Sequence, residues 1–526
     1  MLNVAQWFRR TALQHSDLTA IASARERLTY QALENQSNRL ANALKALGCS
    51  RGDRVAVYLE NRSEIVVLEL ACYKAGYVKT PINFRLSAQE VGHVLNNAEA
   101  SVLVTTESRL QALAPLLPEI PTLAHVIVVD RASSASLPGA VSVHAWTRLL
   151  EQSSDSFDIV SVVRDDLAVL HYTSGSSGVL KAAMQTYGNR LAQLRKFLTN
   201  PDGRLTRGDV MGLVGPITHA SGMQLMPTLC SGASAYLFDR FDPEEFVRTT
   251  REQGITATFM VPTMIHMILS VPHANREHLP TLRRLGYGAA PMAPARIEEA
   301  IGRFGPILSQ GYGAGETTSG VCTLTIQDHV EALRDKPKRL SSCGRPYYET
   351  EVLLLNDVRQ PVKVGEIGEI VVRGEDVFAG YWRAPELTAE VLMDGGYHTG
   401  DLATIDEEGY IYIVDRKKDM IITGGFNVYP TEVESVLYQH AGIYEACVFA
   451  VPDDQWGEVV GAEVIVKPGQ NVTEDDLMKF CKTHLAGFKQ PRLIRFVESL
   501  PKNQNGKMAR REVQARYWSG RSRNVN

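Results

Sequence analysis

The spacing of apolar positions sets the outline of the chain. Leu33, Leu40, Leu44 and Leu47 recur at helical spacing in the stretch from Leu28 to Leu47, and Gly52-Asp53 then leads into the short apolar run Val55–Leu59. A helix is expected from about Ser63 to Gly76, and Val102–Thr105 and Val126–Asp130 repeat the short apolar run between helical stretches. Such alternation predicts a parallel sheet with helices on its faces. It resumes with candidate strands at Leu213–Pro216, Ala235–Phe238, Ala257–Met260 and Leu285–Gly288, each followed by a helix-like segment or a Gly/Pro turn. From about Ser341 the texture changes to short strands with close turns, at Glu351–Leu355, Gly365–Arg373, Leu402–Ile405 and Tyr410–Val414. That pattern predicts antiparallel β structure or a small barrel. After Asp415–Asp419 comes a mixed segment of roughly one hundred residues, the size of a small separate domain. The expected division is a large α/β N-terminal domain over 1–417, holding two parallel-type sheets and the small barrel, and a small α+β domain over 418–526. The tail beyond Trp518 is expected to be disordered.

Composition narrows the class. With 526 residues, of which 44% are hydrophobic, the chain is too long for one core and has enough apolar matter for several. A net charge of -4 without a long block of one sign gives no nucleic-acid surface, so small anions must be met locally. The seven cysteines are scattered without a C-x-x-C pair, which argues against zinc and against a disulfide framework and fits a reducing compartment. The N-terminus lacks a basic segment followed by an apolar core, and nowhere do eighteen apolar residues run together, so the expectation is a cytoplasmic protein with no membrane span.

Candidate chemistry sits in the turns. The apolar run Asp166–His171 breaks at Tyr172-Thr-Ser-Gly-Ser-Ser-Gly178, followed by Lys181 and a helix-like segment. Small residues let backbone N–H groups approach phosphate oxygens, the hydroxyls of Thr173, Ser174, Ser176 and Ser177 donate as well, and Lys181 adds a point charge. Gly175 and Gly178 stand too close together for a Walker A loop, and Ala182 follows the lysine. A solvated Gly/Ser linker fits the same composition equally well. His219 stands at a predicted strand end, where on spacing alone a packing role is the commoner one. Gly311, Tyr312 and Gly313, followed by Glu316, offer an aromatic face, close backbone approach and a hard oxygen ligand, which together suit a nucleotide triphosphate with Mg2+. A Gly-rich turn with a core tyrosine is the plain alternative. Asp401 closes Tyr397-His-Thr-Gly-Asp401, from where a carboxylate accepts from ribose hydroxyls, and Arg416 stands ready to reinforce it; either is equally readable as a surface charge. Lys507 ends the polar loop that starts at Leu500.

Taken in order, these stretches resemble the adenylate-forming superfamily, which includes acyl- and aryl-CoA synthetases, peptide-synthetase adenylation domains and beetle luciferases. The likeness runs from the helix at Leu28 to Lys507 and is most specific at Tyr172–Gly178 with Lys181, Gln310–Gly313 with Glu316, Tyr397–Asp401, Asp415–Ile422, Gly424–Pro430 and Gly506-Lys507. The resemblance implies that Thr173 to Lys181 grip the β and γ phosphates of ATP, that Tyr312 contacts adenine, and that Glu316 is the magnesium ligand. It implies ribose contacts at Asp401 and Arg416, and a Lys507 that bridges substrate carboxylate and α-phosphate. It further implies that His219 lies beside the acyl pocket, that Lys418 is the hinge of a mobile C-terminal domain, and that Gly424 and Gly425 line a thiol tunnel. Pocket walls are expected from Ala220 to Met223, Met260, Ala289 and Gly311 to Gly313.

Two positions depart from the family pattern. Gly315 stands directly before Glu316 where a threonine is usual, and Ala182 follows Lys181 where a glycine is usual. The reading favoured is an acid-CoA ligase that activates a medium-sized acyl or aryl carboxylate with ATP and Mg2+ and passes it to coenzyme A. The alternatives are a free-standing adenylating enzyme that serves a carrier protein or a non-thiol acceptor, and a non-catalytic nucleotide-binding relative. An α-amino acid is disfavoured as substrate, because Pro216 to Met226 holds no acidic residue to meet an ammonium group. A homodimer is compatible with this reading, and the acid itself is left open.

Overall fold

Strands whose side chains are apolar on both faces must be covered on both faces, and this governs the larger part of the molecule. The computed structural model describes residues 3–131, 135–136, 141–174, 180–200, 202–318, 320–502 and 508–518. The chain divides into two compact units, Met1–Val352 with Val372–Tyr397, and Leu353–Val371 with His398–Asn526.

The first unit holds two sheets. One has eight strands, in spatial order Leu180–Thr186, Leu167–Ser174, Val78–Pro81, Arg54–Tyr58, Val102–Thr105, His125–Val128, Ser142–Ala145 and Ala135–Ser136. Its inner pairs are parallel and its outermost pair on each edge is antiparallel. The other has nine, in the order Arg345–Pro346, Gly320–Leu324, Leu308–Gly313, Arg284–Gly288, Ala257–Met260, Val210–Leu213, Ser234–Leu237, Thr19–Ser23 and Arg27–Thr29. It is parallel from Leu308–Gly313 through Thr19–Ser23. The expected α/β architecture is therefore present.

Strand alternation distributes the core into layers. Val55 and Val57 face a cluster shared with Ile21, Met211 and Leu213 of the other sheet, and the helices Tyr30–Ala46, Ser63–Ala75 and Tyr187–Thr199 fill the space between the sheets. Ala56 and Tyr58 point the other way, onto the helix Ala88–Ala98, and Phe246, Ile265 and Ile297 cover the outer face of the nine-stranded sheet. Helix starts follow local chemistry: Ser87 with Glu90 and Thr186 with Asn189 form capping boxes, and Gly76 ends its helix at φ 74°.

Three sequence expectations change. The segment after the Ser/Gly loop is the strand Leu180–Thr186, antiparallel to Leu167–Ser174, and the helix begins only at Tyr187. Ala182 and Ala183 are both buried, so the segment shows no polar face and its strand character is hidden in the sequence. The expected strand Leu213–Pro216 lies earlier, at Val210–Leu213, and the Gly-rich stretch at Gln310 is a strand to Gly313 before it turns.

A further sheet has five strands, Thr350–Leu355, Gly368–Gly374, Leu392–Met393, Gly396–Ile405 and Ile411–Arg416. The second unit also has a sheet of Phe426–Val428, Ile421–Thr423, Gly457–Val466, Ile443–Asp453 and Leu493–Phe496. Val433, Leu437, Val464, Leu477 and Ile494 form its core against the helices Pro430–Leu437 and Glu474–His484.

Candidate active site

Parallel strands bring their carboxyl ends to one edge, and the site residues of the first unit collect there. Thr173 and Ser174 end the strand Leu167–Ser174, and Lys181 sits directly across the hairpin from Thr173. Gly175, Ser176, Ser177 and Gly178 lie outside the described residues. Glu316 is carried by the single turn Gly315–Thr317, which follows the strand ending at Gly313.

These pieces meet at Tyr381, a residue the sequence reading passes over. Its hydroxyl donates to Glu316 Oε1 at 2.8 Å, and the Lys181 ammonium stands 4.1 Å from the centroid of its ring. The Thr173 hydroxyl approaches the same Glu316 oxygen at 3.5 Å. Burial, with the Glu316 charge behind it, raises the Tyr381 phenol, so it stays a donor at any ordinary pH. The segment is fixed by backbone bonds: Phe378 N–H donates to the Glu316 carbonyl at 2.8 Å, and Trp382 N–H to the Ala182 carbonyl at 2.9 Å. Only tertiary pairing marks Tyr381, which no local pattern signals.

Glu316 is 8% exposed, and its carboxylate beside the Thr173 hydroxyl offers hard oxygens of the kind Mg2+ takes. Among the described residues no cluster of three His, Cys, Asp or Glu is placed to hold a metal. A single carboxylate of this kind fits an ion that keeps water and binds through substrate phosphates.

The structure also shows why position 315 is glycine. A Cβ there would lie 2.7 Å from His171 Cδ2 and 2.9 Å from Thr173 Cγ2. The space is filled by the His171 ring, which in turn packs on His219 at 5.2 Å between centroids. Burial, aided by the neighbouring His219 and the cations Arg190 and Lys79, pulls His171 down to about 3, and burial pulls His219 down to about 4, so both imidazoles are neutral.

The expected pocket residues lie at neighbouring strand ends. His219 precedes the short helix Ala220–Gln224, whose Met223 carbonyl accepts from Gln193 Nε2 at 3.2 Å. Gly311 pairs in register with Gly288, and a Cβ on Gly288 would come within 2.2 Å of the Gly311 carbonyl. In front of Gly311 there is open space. Ala289 follows at φ 65°, a left-handed conformation that costs a non-glycine residue about 1–3 kcal/mol. Tyr312 lies on the same strand as Gly311, partly buried.

The second unit carries the remaining candidates. Asp401 stands opposite Arg416 in an antiparallel pair, and Arg416 Nε meets Asp401 Oδ1 at 3.1 Å. Burial, with Arg416 nearby, lowers Lys418 to about 8. Gly424 adopts φ 56° under the Trp456 ring, which a Cβ would meet at 2.5 Å, and Gly425 follows at φ 82°. Lys507 and the tail beyond Trp518 lie outside the described residues. No described helix is long and apolar enough to cross a membrane.

Comparison with known proteins identifies the family. Residues 8–382 match the model of the AMP-binding enzyme family, and residues 432–507 that of the AMP-binding enzyme C-terminal domain. A feruloyl-CoA synthase of an Amycolatopsis species is 36% identical over 98% of this chain and 99% of its own. A medium/long-chain-fatty-acid–CoA ligase of Mycobacterium tuberculosis is 33% identical over 97% of this chain and 90% of its own. The crystal structure of ATP-bound MatB from Rhodopseudomonas palustris, 29% identical, superposes with a TM-score of 0.87 over 98% of this chain and 99% of that one. The chain belongs to the AMP-binding enzyme family, and it is an ATP-dependent ligase that activates a carboxylic acid.

Proposed function

We propose that this acid-CoA ligase acts on an aromatic or medium-sized acyl carboxylate, seated among His219, Ala220, Met223, Ala289 and Gly311, and hands it to coenzyme A. The observation that carries the adenylation half is the convergence of the Thr173 and Tyr381 hydroxyls on Glu316, with Lys181 over the Tyr381 ring. Thr173 to Lys181 hold the β and γ phosphates, with Ser174, Gly175, Ser176, Ser177 and Gly178 forming the loop between them. Tyr312 lies against adenine between Gly311 and Gly313. Asp401 and Arg416 take the ribose. Mg2+, held through Glu316, neutralises phosphate charge when bound.

A carboxylate is a poor electrophile. One of its oxygens attacks the α-phosphorus, pyrophosphate leaves, and Lys507 meets the charge that builds between carboxylate and α-phosphate. The thiol of coenzyme A then attacks the acyl carbon and AMP leaves. We place residues 418–526 as a domain that turns about Lys418 between the two steps and brings Gly424 and Gly425 to the thiol tunnel.

Coenzyme A is favoured over a carrier protein by an aromatic surface of the second unit. Phe426 and Phe488 stack at 4.9 Å and are 57% and 38% exposed, with Lys489 over Phe488 and Arg492 over the half-exposed Trp456. Flat rings beside cations suit the adenine and phosphates of coenzyme A, whereas a carrier protein's phosphopantetheine arm brings a phosphate but no adenine to stack. The close relation to the feruloyl-CoA synthase supports the aromatic class.

The test is ATP/pyrophosphate exchange over a panel of hydroxycinnamates, benzoates and medium-chain acids, followed by thioester assay with coenzyme A and with a carrier protein. Exchange with an aromatic or medium-chain acid and thioester on coenzyme A is expected. Exchange without a coenzyme A product overturns the acceptor. Gel filtration of the same sample tests the homodimer, and fractionation of the host cell tests the proposed cytoplasmic location.

A further inference from the structure

The helix Ser63–Ala75 is buried along its length, yet Glu69 sits inside the layer between the sheets. Its carboxylate pairs with Lys79 through Oε2 and with Arg190 at 3.4 Å through Oε1, and the Tyr73 hydroxyl donates to Oε1 at 3.3 Å. Each of these four side chains is at most 9% exposed. Removing three charges from water is expensive, and well-packed apolar residues commonly serve stability as well or better. The direction in which the cluster points is therefore informative.

Arg190 donates Nε to the Tyr73 hydroxyl at 2.8 Å and Nη1 to Gln185 Oε1 at 3.3 Å. A guanidinium has no acceptor, so the Gln185 amide must turn its oxygen to Arg190 and its NH2 group away. That NH2 group donates to the Gly315 carbonyl at 2.9 Å. Lys79, Val169 and Gln185 lie in one register row across three strands, so the sheet itself fixes where Gln185 starts. The turn that carries Glu316 is thus held at two successive carbonyls, Gly315 by Gln185 and Glu316 by the Phe378 N–H. Gly315 has no side chain to anchor its own peptide.

We propose that Gln185, oriented by Arg190 and the buried Glu69 carboxylate, is a positioning residue that aims the Glu316 carboxylate for the magnesium-dependent step. This rests on Glu316 being the metal-binding carboxylate. Neither the pairing of Gln185 with Gly315 nor the charge cluster behind it follows from the sequence motifs.

Gln185→Glu keeps the shape and gains a charge partner in Arg190, but it presents an oxygen to the Gly315 carbonyl instead of an N–H. Two readouts separate aim from stability: urea unfolding, and calorimetric ATP affinity with and without Mg2+. The expected result is unfolding at the wild-type urea concentration or above, with ATP affinity unchanged without the metal. The tightening brought by Mg2+ should fall about five- to tenfold, as should the apparent Mg2+ affinity in pyrophosphate exchange. Gln185→Met, which loses both hydrogen bonds without adding charge, should weaken the Mg2+ effect in the same direction, and it serves if the glutamate variant does not fold. Glu316→Gln is the reference. If Glu316→Gln abolishes the Mg2+ effect and both Gln185 variants keep it, the positioning role is wrong. An equal loss of ATP affinity with and without Mg2+, alongside lost stability, also overturns it. If Glu316→Gln itself keeps the Mg2+ effect, the metal assignment beneath it fails instead.

Discussion

Gly315→Ala adds one methyl group, and the structure says what it must displace. The new Cβ would stand 2.7 Å from His171 Cδ2, 2.9 Å from Thr173 Cγ2 and 3.4 Å from His171 Nε2, where carbon atoms ordinarily rest about 3.5–4.0 Å apart. Neither neighbour is free to retreat. His171 is backed by His219, and Thr173 is paired across the hairpin with Lys181. The turn cannot shift either without breaking the bonds from Gln185 and Phe378. Overpacking of this kind costs about 1–3 kcal/mol. Against it stands the usual gain of about 0.4–1 kcal/mol on replacing glycine with alanine in a compatible conformation, since Gly315 sits in an ordinary helical turn. The steric effect wins, with a net loss of about 0.5–2 kcal/mol in urea unfolding followed by tryptophan fluorescence. Exchange activity should fall too, because the displaced turn carries Glu316. His171→Ala removes the obstructing ring, so the double variant should be less destabilised than the sum of the two, with a coupling of about 0.5–2 kcal/mol. Strict additivity would refute the steric account.

Asp401→Ala removes a carboxylate assigned two ribose hydrogen bonds, and the KM for ATP should rise about ten- to hundredfold; an unchanged KM takes Asp401 out of the site. Lys507→Ala should slow pyrophosphate exchange about a hundred- to a thousandfold, while thioester formation from presynthesised acyl-adenylate and coenzyme A stays near wild type. Loss in both assays points to a folding defect, and loss in neither makes Lys507 a surface residue. His171 and His219 stay neutral in the native protein down to about 3 and 4, whereas an imidazole in the unfolded chain takes up a proton near 6.5. The unfolded state then binds more protons below about pH 6.5, so stability falls as pH falls, by at most about 1.4 kcal/mol per pH unit for each ring. His171→Gln should flatten that acid limb between pH 6.5 and 4, and an unchanged slope would mean that His171 is charged in the native state.

The α/β alternation was legible because Val55–Leu59 and Val102–Thr105 are short, uniformly apolar and bounded by turns, the signature of strands covered on both faces. The pairing of Asp401 with Arg416 was half legible, since Asp401 stands just before one readable strand, Leu402–Ile405, and Arg416 just after the other, Tyr410–Val414, although their register is not a local property. Lys181 was placed before a helix because Leu180–Thr186 offers no alternation between polar and apolar faces, and its strand character comes from Leu167–Ser174 on one side and residues 379–382 on the other. Tyr381 and Gln185 were invisible for a related reason. Each acts through one hydrogen bond to a residue far away in the chain, 65 positions for Tyr381 to Glu316 and 130 for Gln185 to Gly315. The departure at Gly315 was visible, but its cause, a histidine ring in the vacated space, was not.

The nine-stranded sheet has an order of assembly built into it. Thr19–Ser23 joins it in parallel beside Ser234–Leu237, and Ser234 Oγ donates to the Thr19 carbonyl at 2.6 Å across 215 residues of sequence. Every strand of the eight-stranded sheet lies between those two partners in the chain. On the ribosome, that sheet can therefore close first, while the small hairpin of Thr19–Ser23 and Arg27–Thr29 leaves the exit tunnel early and waits with one edge unpaired. Closing so long a loop adds little to the equilibrium cost, because loop entropy grows only with the logarithm of length, but it delays the event. Until Ser234–Leu237 has been made, the edge of residues 19–23 lacks its native partner strand and is open to pairing with another chain.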